Sequence, residues 1–229
     1  MFHRILRSAA AAALFVVTAG FIASPAVAQT DQQKLLAASE TSLSNFMRDP
    51  EMKWLQQNFG RAKAVLISPE IVKAGFIFGG SGGRAALFAR DAKSGQWLGP
   101  TFYNMATASV GFQAGVSVSE TITLVMTDKG FNSLLATSVK LGGDASVAAG
   151  PVGAGAKSDV VADLIAFSRA KGVYGGLNLD GTVVTAADDW NQAFYGKKVL
   201  PPDILVRGDV KNAQADKLRG EIAKAAAKK

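Results

Sequence analysis

The chain has 229 residues, a formal net charge of +7, one histidine and no cysteine. Because His3 lies near the start, the rest of the chain carries neither residue type, which excludes zinc and blue-copper centres, disulfides and nucleophilic sites built on histidine or cysteine. Basic residues stand singly among acidic ones, which argues against a nucleic-acid partner and suits weak attraction to an anionic surface or ordinary solubility. We therefore expect no metal and no cofactor.

The first 28 residues predict a secretory signal peptide. Arg4 and Arg7 precede an apolar run over residues 8–22, and small residues at 26–28 form a cleavage site. The run is shorter than the roughly 20 residues of a membrane-spanning helix, although a membrane anchor is the alternative. Cleavage after Ala28 predicts a periplasmic or secreted protein, which carries +5 once Arg4 and Arg7 are removed.

The next segment predicts a helical hairpin. Apolar residues recur at helical spacing over residues 35–47. Asp49-Pro50 predicts the start of a second helix, with Asp49 as the N-cap and proline at the first position, and Gly60 predicts its end. The predicted division of the chain is a signal peptide at 1–28, N-terminal helices at 29–60, a β-rich core at 61–208 and a charged C-terminal helix at 209–229.

From residue 62 onward, short runs rich in Val, Ile, Phe and Thr predict strands. The runs are AKAVLI, AGFIFGG, RAALFARD, a segment after Trp97, VSETITLVMTD, DASVAAG, LIAFSRA, GVYGGLNL and GTVVTAADD, with short helices at KGFNSLLATS and DDWNQAFYG. Two glycine-rich segments resemble each other: AGFIFGGSGG, which follows Lys73, and KGVYGGLNLDG, which begins with Lys171. Their similarity predicts an internal duplication. Glycines within strands mark bends and bulges. The sequence therefore predicts an α+β fold: a strongly curved, glycine-kinked antiparallel sheet, barrel-like or a sandwich, with an N-terminal helical hairpin and a C-terminal helix.

Three short motifs approach catalytic or nucleotide-binding patterns, and each lacks an essential part. GPVGAGAKSD has Ala156 between its last glycine and its lysine, which a phosphate-binding loop does not allow. Ser168 to Lys171 fits S-x-x-K, but neither S-D-N nor K-T-G follows. The acids Asp188 and Asp189 are adjacent, and one of them is more simply a helix N-cap. We therefore expect no nucleotide, no catalytic residue and no enzymatic activity.

Several motifs, taken in order, resemble the SYLF domain family. They are Lys73 with GFIFGG, W-x-x-P at Trp97 and Pro100, G-x-Q-x-G at 111–115, Gly150-Pro151, SRAKGVYGG at 168–176, Tyr195 and P-x-D-I-L at 201–205. The resemblance covers roughly residues 35–206. It implies a lipid-binding module, since eukaryotic members bind phosphoinositide membranes partly through a basic N-terminal helix, and some bind actin. Here that helix is nearly neutral, and an extracytoplasmic protein is not expected to meet actin.

Two groups of residues are candidate lipid contacts. The candidate headgroup site consists of cations near the glycine-rich repeats: Lys73, Lys171 and Arg84. The candidate membrane-interface residues surround the second predicted helix: Lys53, Trp54, Arg61 and Lys63. Exposed turn lysines and helices packed on the core are the alternative interpretations of these residues.

The sequence thus favours a non-enzymatic, extracytoplasmic protein that binds anionic lipid or a membrane surface. The alternative is a structural or interaction module that binds a protein or cell-wall partner and has no lipid affinity. An enzyme is the third interpretation, because its acid–base chemistry would depend on carboxylates, lysine and tyrosine alone.

Overall fold

The computed structural model describes residues 29–75, 78–110, 115–153, 160–170 and 179–228. The helices are α1 (Asp31–Arg48), α2 (Lys53–Asn58), α3 (Asp128–Leu134), α4 (Asp188–Tyr195), α5 (Pro201–Leu205) and α6 (Asp216–Ala227). The strands are β1 (Ala64–Gly75), β2 (Phe78–Arg90), β3 (Trp97–Val110), β4 (Gly115–Val125), β5 (Ser138–Lys140), β6 (Val147–Ala149), β7 (Leu164–Ala170) and β8 (Val183–Ala186). The predicted signal peptide, the second glycine-rich repeat at 171–178 and residues 154–159 of the GPVGAGAKSD segment lie outside the described residues.

The predicted helical hairpin is confirmed, with a difference in its second part. Thr30 caps α1 in a capping box with Gln33, and the residues that α1 buries follow the predicted spacing. Asp49 accepts a hydrogen bond from the Glu51 amide at the predicted start. The second helix is interrupted, however: α2 is flanked by short 3-10 helices at Pro50–Met52 and Phe59–Arg61.

The strands form one sheet in the order β5-β8-β3-β2-β1-β4-β7-β6. Every pairing is antiparallel except that of β6 with β7. The predicted α+β class with a curved sheet is confirmed. Two predicted strands, AKAVLI and the start of AGFIFGG, belong to the single strand β1, because a bulge between Ile67 and Glu70 accommodates Pro69 and the pairing resumes beyond it.

Two hydrophobic clusters lie on the two faces of the sheet. The outer cluster packs α1, α2 and α6 against residues such as Val65 and Phe88. The inner cluster contains Leu66 and Tyr103, together with residues of β5 and β7 from opposite sides of the sheet. The two edge strands, β5 and β6, are joined through residues 141–146, where Leu141 and Ala145 form a bridge. The sheet therefore curls around the inner cluster as a half-barrel.

The sheet has two ends, which we name by their residues. At the basic end, β1 and β3 begin and β2 and β4 finish, since Ala64 pairs with both Ala89 and Val125. At the glycine end, Gly75 pairs with both Gly79 and Gly115. The antiparallel order places the segment before β1 and the connection between β2 and β3 at the basic end.

A cluster of charged and polar side chains fastens α1 to the outer face. The Arg169 Nε donates to Glu120 Oε1 at 2.6 Å, and the Ser42 hydroxyl donates to Glu120 Oε2 at 2.6 Å. Arg169 Nη1 also lies 3.9 Å from Asp49 Oδ2. Arg169, within the SRAKGVYGG motif, thus has a structural role that connects β7, β4 and the end of α1.

Two local predictions need correction. Neither Asp188 nor Asp189 is the N-cap of α4, since that position belongs to Ala187 and the two acids occupy the first turn. There their negative charges interact favourably with the positive end of the helix dipole, but neither side chain caps the helix. Helix α5 was not predicted, although Pro201 at its first position is a typical start.

Candidate functional site

A basic cleft opens at the basic end of the sheet, with a volume of about 800 Å³. Six cations line it, against the two carboxylates Asp91 and Asp128. The cations are Arg61, Lys63, Arg90, Lys93, Arg207 and Lys211. This excess of positive charge makes the cleft suitable for an anionic ligand.

The cations come from three chain segments that the fold brings to one end. Arg61 and Lys63 precede β1, and Arg90 and Lys93 lie where β2 turns towards β3. The remaining two, in the segment after α5, complete the opposite wall. Because antiparallel strands return to the same end at every second connection, segments distant in sequence share this cleft.

The carboxylate of Asp91 has a structural role in the β2–β3 turn. The carboxylate accepts from the hydroxyl and the amide of Ser94 and from the amide of Lys93. These hydrogen bonds, from the Ser94 hydroxyl above all, hold the pKa of Asp91 below its ordinary value. The turn is therefore fixed by its own acid, and the Lys93 side chain projects from a defined backbone.

Most cleft cations form no ion pair with a carboxylate of the described residues, although Lys93 is close enough to Asp91 for its charge to help lower the pKa of that carboxyl. Lys63 Nζ lies 2.8 Å from Asp128 Oδ1, and Arg207 pairs with Asp203 and Asp209. The other four cations form no ion pair within 4.0 Å with a carboxylate of the described ranges: Arg61, Arg90, Lys93 and Lys211. Two of these bind neutral acceptors instead, as Arg61 donates to the Asn58 amide oxygen and Arg90 to the Gly60 carbonyl.

Apolar side chains stand among these charges. Leu98 and Phe131 line the cleft and are half-buried. Val206 lies beside Arg207 and is 52% exposed. A cationic rim around accessible apolar groups is the combination that favours the interface of an anionic membrane.

The structure separates the four predicted membrane-interface residues. Arg61 and Lys63 lie in the basic cleft. Lys53 is exposed on α2. Trp54 instead stacks on Phe167 of β7, with ring centroids 5.8 Å apart, and packs on the outer cluster. The indole ring is thus occupied by contacts within the protein.

The candidate headgroup residues do not form one cluster. Lys73 follows Ile71, an inner-face residue, by two positions, whereas Arg84 precedes Ala86, an outer-face residue, by two. Side chains alternate along a strand, so Lys73 and Arg84 lie on opposite faces of the sheet. Lys171 lies outside the described residues, and its pairing with Lys73 stays a prediction.

Arg84 closes a second cleft, on the outer face between α1 and the sheet, with a volume of about 580 Å³. Its guanidinium carbon lies 4.0 Å from the centre of a Trp190 ring, and its Nε donates to Asn104 Oδ1 at 3.2 Å. Glu70 and the ion-paired Asp31 and Lys34 also line this cleft. Its charges balance, so it offers no excess charge to an anionic ligand.

Sequence reasoning found two of the six cleft cations and missed Arg90, Lys93, Arg207 and Lys211. A usable signal was present for two of them. The turn-forming residues Lys93 to Gln96 follow the predicted strand RAALFARD, and counting antiparallel connections would have placed them beside Arg61 and Lys63. The positions of Arg207 and Lys211 depend on where α5 packs, and no local sequence pattern indicates this.

In the described ranges, no group of three or more aspartate, glutamate, histidine or cysteine side chains is arranged to hold a metal ion. Among the same residues, no helix has both the length and the apolar character needed to cross a membrane.

Comparisons with known proteins agree on one family. The family model described as "Ysc84: Las17-binding protein actin regulator" matches residues 106–225. LAS seventeen-binding protein 3 of Saccharomyces cerevisiae is 34% identical over 152 residues, which cover 63% of this chain and 33% of that protein. SH3 domain-containing YSC84-like protein 1 of Homo sapiens is 28% identical over 163 residues, 69% of this chain and 47% of that protein.

The matched region thus spans about a third to a half of each of these relatives. The family model's match at residues 106–225 overlaps the part of the chain that carries the motifs of the SYLF domain family, roughly residues 35–206. Because the family model matches more than half of the chain, the chain belongs to the Ysc84 (SYLF) domain family.

Proposed function

We propose that this protein is a non-enzymatic, extracytoplasmic protein that binds anionic lipid at a membrane surface through the basic cleft. One observation carries the proposal: four cations of one cleft form no ion pair with a described carboxylate. Each lysine or arginine held near an anionic membrane contributes about 1 kcal/mol to binding. Four such groups around accessible apolar side chains favour a surface over a small ligand.

The extracytoplasmic part of the proposal rests on the N-terminal sequence. Basic residues, an apolar run and small residues follow one another there in the order of a secretory signal. An outer location for the mature chain makes bacterial-type anionic phospholipids or other anionic envelope polymers the available surfaces. Detection of a mature protein that begins at Gln29 in an extracytoplasmic fraction tests this part.

A protein partner is the second candidate function. The name of the yeast relative describes binding to LAS seventeen, and the family model is described as a Las17-binding actin regulator. The same basic cleft suits an acidic segment of a partner protein, because the charge requirement is similar. Such a module has no affinity for lipid vesicles, which distinguishes the two candidates.

The first experiment is co-sedimentation of the purified protein with vesicles of phosphatidylcholine and with vesicles containing phosphatidylglycerol. We expect binding to the anionic vesicles only. It should weaken as salt rises above about 0.1 M, where the screening length falls below about 10 Å. Binding to neither vesicle type would contradict the lipid proposal and favour the protein partner.

A charge-reversal variant locates the binding surface. Lys93→Glu combined with Lys211→Glu should weaken binding to the anionic vesicles by at least about 30-fold, from about 1 kcal/mol per cation. The matched control is Lys197→Glu combined with Lys198→Glu, which changes the net charge equally at exposed positions outside the cleft. Equal weakening by both variants would show that net charge, and not the cleft, controls binding.

A further inference from the structure

The second cleft, between α1 and the outer face of the sheet, carries opposite charges on neighbouring strands. We call it the outer cleft. Glu70 on β1 is directly opposite Arg84 on β2, and Arg84 is directly opposite Asn104 on β3. All three residues are exposed and line the outer cleft. An acid, a base and an amide therefore form a row across three adjacent strands.

The row lies on one face of the sheet. Side chains alternate along a strand, so Asn104, two positions after the outer-cluster residue Phe102, lies on the outer face with Arg84. Glu70 lies on the same face, because it comes directly before the inner-cluster residue Ile71 and beyond the bulge of β1. The three side chains are therefore accessible to one ligand.

Arg84 is oriented by neutral groups. Its guanidinium carbon lies 4.0 Å from the centre of a Trp190 ring, and its Nε donates to Asn104 Oδ1 at 3.2 Å. Within the described ranges it forms no ion pair with a carboxylate. Its two terminal nitrogens form a planar fork that matches a carboxylate, and the Asn104 amide nitrogen is a further donor beside them. Because these contacts fix the fork beforehand, a ligand carboxylate binds with a smaller loss of side-chain freedom.

Glu70 supplies the opposite charge. No lysine or arginine nitrogen of the described residues lies within 4.0 Å of its carboxylate, although Arg84 is on the next strand. The two charges are therefore too far apart for a direct ion pair, and a ligand that carries both signs fits between them. The remaining charges of the outer cleft, Asp31 and Lys34, pair with each other at 2.9 Å. The outer cleft thus matches a ligand with one ammonium and one carboxylate.

The floor of the outer cleft is apolar and open. Val72 is 39% exposed and is directly opposite Gly82, which precedes Arg84 by two positions on the outer face. Among the described residues, a Cβ built at Gly82 would meet only the Met105 carbonyl oxygen, at 3.6 Å. Leu35 of α1 lines the cleft from the opposite side. This floor accommodates an apolar side chain of a ligand.

We infer that the outer cleft binds a free amino acid or a short peptide through both of its charged termini. The carboxylate lies at Arg84 and Asn104, the ammonium lies at Glu70, and an apolar side chain lies over Gly82. Neighbouring strands are about 4.8 Å apart and an extended chain spans about 3.4 Å per residue, so one to three residues reach from Glu70 to the next two strands. The volume of about 580 Å³ is within the range of about 300–1,000 Å³ that is typical of small-ligand clefts.

This site is separate from the basic cleft. Among the described residues, none lines both clefts. The basic cleft favours negative charge alone, whereas the outer cleft requires both signs on one ligand. The inference therefore goes beyond the proposed membrane contact and does not depend on it.

The test is a titration of the purified protein followed by amide NMR shifts. The probes are leucine and the tripeptide alanyl-leucyl-alanine, each also with an acetylated N-terminus and with an amidated C-terminus. We expect saturable shifts at the amides of Gly82, Arg84 and Asn104 with at least one unmodified probe. Each modification of that probe should weaken binding by about tenfold or more, because it removes a hydrogen bond between charged groups. Tighter binding of leucine would identify a free amino acid as the ligand, and tighter binding of the tripeptide would identify a peptide.

Two variants assign the termini of the ligand. Arg84→Met should weaken binding of the unmodified probe by about tenfold or more, and amidation should then have no further effect, whereas acetylation still weakens binding. Glu70→Gln should give the reverse pattern. Both residues are exposed, so both variants are expected to fold. Arg48→Met is the matched control, since Arg48 is exposed outside the outer cleft, and it should leave probe binding unchanged.

Three results would overturn the inference. The first is the absence of saturable shifts at these amides with both unmodified probes. The second is unchanged affinity when either terminus is blocked, because the charged side chains would then contribute nothing. The third is equal weakening by Arg84→Met and Arg48→Met, because net charge and not the outer cleft would then control binding. Vesicle binding is measured separately, so the membrane proposal stands or fails independently of these results.

Discussion

The turns at the basic end of the sheet and the bulge of β1 are built in different ways. At the basic end, Asp91 fixes the β2–β3 turn, and Asp163 accepts hydrogen bonds from Thr127 and Ser146. At the bulge of β1, two backbones approach closely, and a Cβ built at Gly83 would lie 2.3 Å from the Glu70 carbonyl oxygen. We therefore expect the basic end to tolerate changes in its exposed charges, whereas Gly83 tolerates no side chain.

At the basic end, the residues proposed to bind a ligand therefore differ from the residues that stabilise the turns. The exposed cations of the cleft project from turns that other residues hold in place, so they are available to a ligand. Beside the bulge of β1, the spacing of the strands depends on glycine. Substitutions at four places test this comparison: Gly83, Asp163, the Arg84–Trp190 pair and Lys211.

The largest effect is expected from Gly83→Ala. The added methyl group meets the Glu70 backbone oxygen beside the bulge of β1, so the pairing of β1 with β2 must shift. We expect the free energy of unfolding to fall by about 3 kcal/mol in urea denaturation. Gly82→Ala is the matched control, since its nearest atom, the Met105 oxygen, is 3.6 Å away, and it should change stability by less than about 1 kcal/mol. Equal losses in the two variants would remove the distinction.

The next largest effect is expected from Asp163→Asn at the basic end. Asp163 is 8% exposed and accepts from the Thr127 hydroxyl at 2.5 Å and from the amide and hydroxyl of Ser146 at 2.9 and 2.8 Å. An amide keeps only part of these bonds, so we expect a loss of about 2 kcal/mol at pH 7 in urea denaturation.

The same carboxylate predicts a pH dependence. The hydrogen bond from Thr127, followed by those from Ser146, lowers the pKa of Asp163 in the folded protein. The stability it contributes is therefore complete above the unfolded pKa of about 3.9 and is lost as the pH falls further. Unfolding free energies measured at pH 7, 5 and 3 should decline more in the wild type than in Asp163→Asn. Parallel declines would contradict this assignment.

A smaller effect is expected on the outer face, where Arg84 stacks on Trp190 at 4.0 Å. Arg84 is exposed, so the cation–π contact is worth about 0.5–1 kcal/mol. A double-mutant cycle with Arg84→Met and Trp190→Leu measures this coupling energy directly. A coupling energy of zero would show that the stacked arrangement does not stabilise the fold.

The smallest effect is expected from Lys211→Met in the basic cleft. Lys211 is exposed and forms no ion pair with a carboxylate of the described residues. Its loss should change the free energy of unfolding by less than about 0.5 kcal/mol. Thermal unfolding measures this change. A larger loss of unfolding free energy would show that Lys211 stabilises the fold and is not simply available to a ligand.

Much of the fold was predictable because its signals are local. Helix α1 follows from apolar residues at helical spacing, and its end from Asp49-Pro50. The curved antiparallel sheet follows from short β-rich runs with glycines. The single strand β1 was not predicted, because Pro69 reads as a break in sequence and only the bulge in the paired sheet accommodates it.

The candidate sites were predicted in part. Arg61 and Lys63 were identified as membrane-interface residues and do lie in the basic cleft. The grouping of Lys73 with Arg84 was not predictable in either direction, because the face of a strand residue changes with a one-residue shift in register. The contact of Trp54 with Phe167 was also not predictable, because it joins α2 to β7, two elements that are distant in sequence.

By itself, the sequence determined the class of fold, the family and the absence of histidine and cysteine chemistry from residues 29–229, because composition, periodicity and ordered motifs are properties of the chain alone. Only the tertiary structure decided which charges meet. Three separate segments form the basic cleft, and Lys73 and Arg84 lie on opposite faces of the sheet. Both depend on strand order and register, which long-range packing sets.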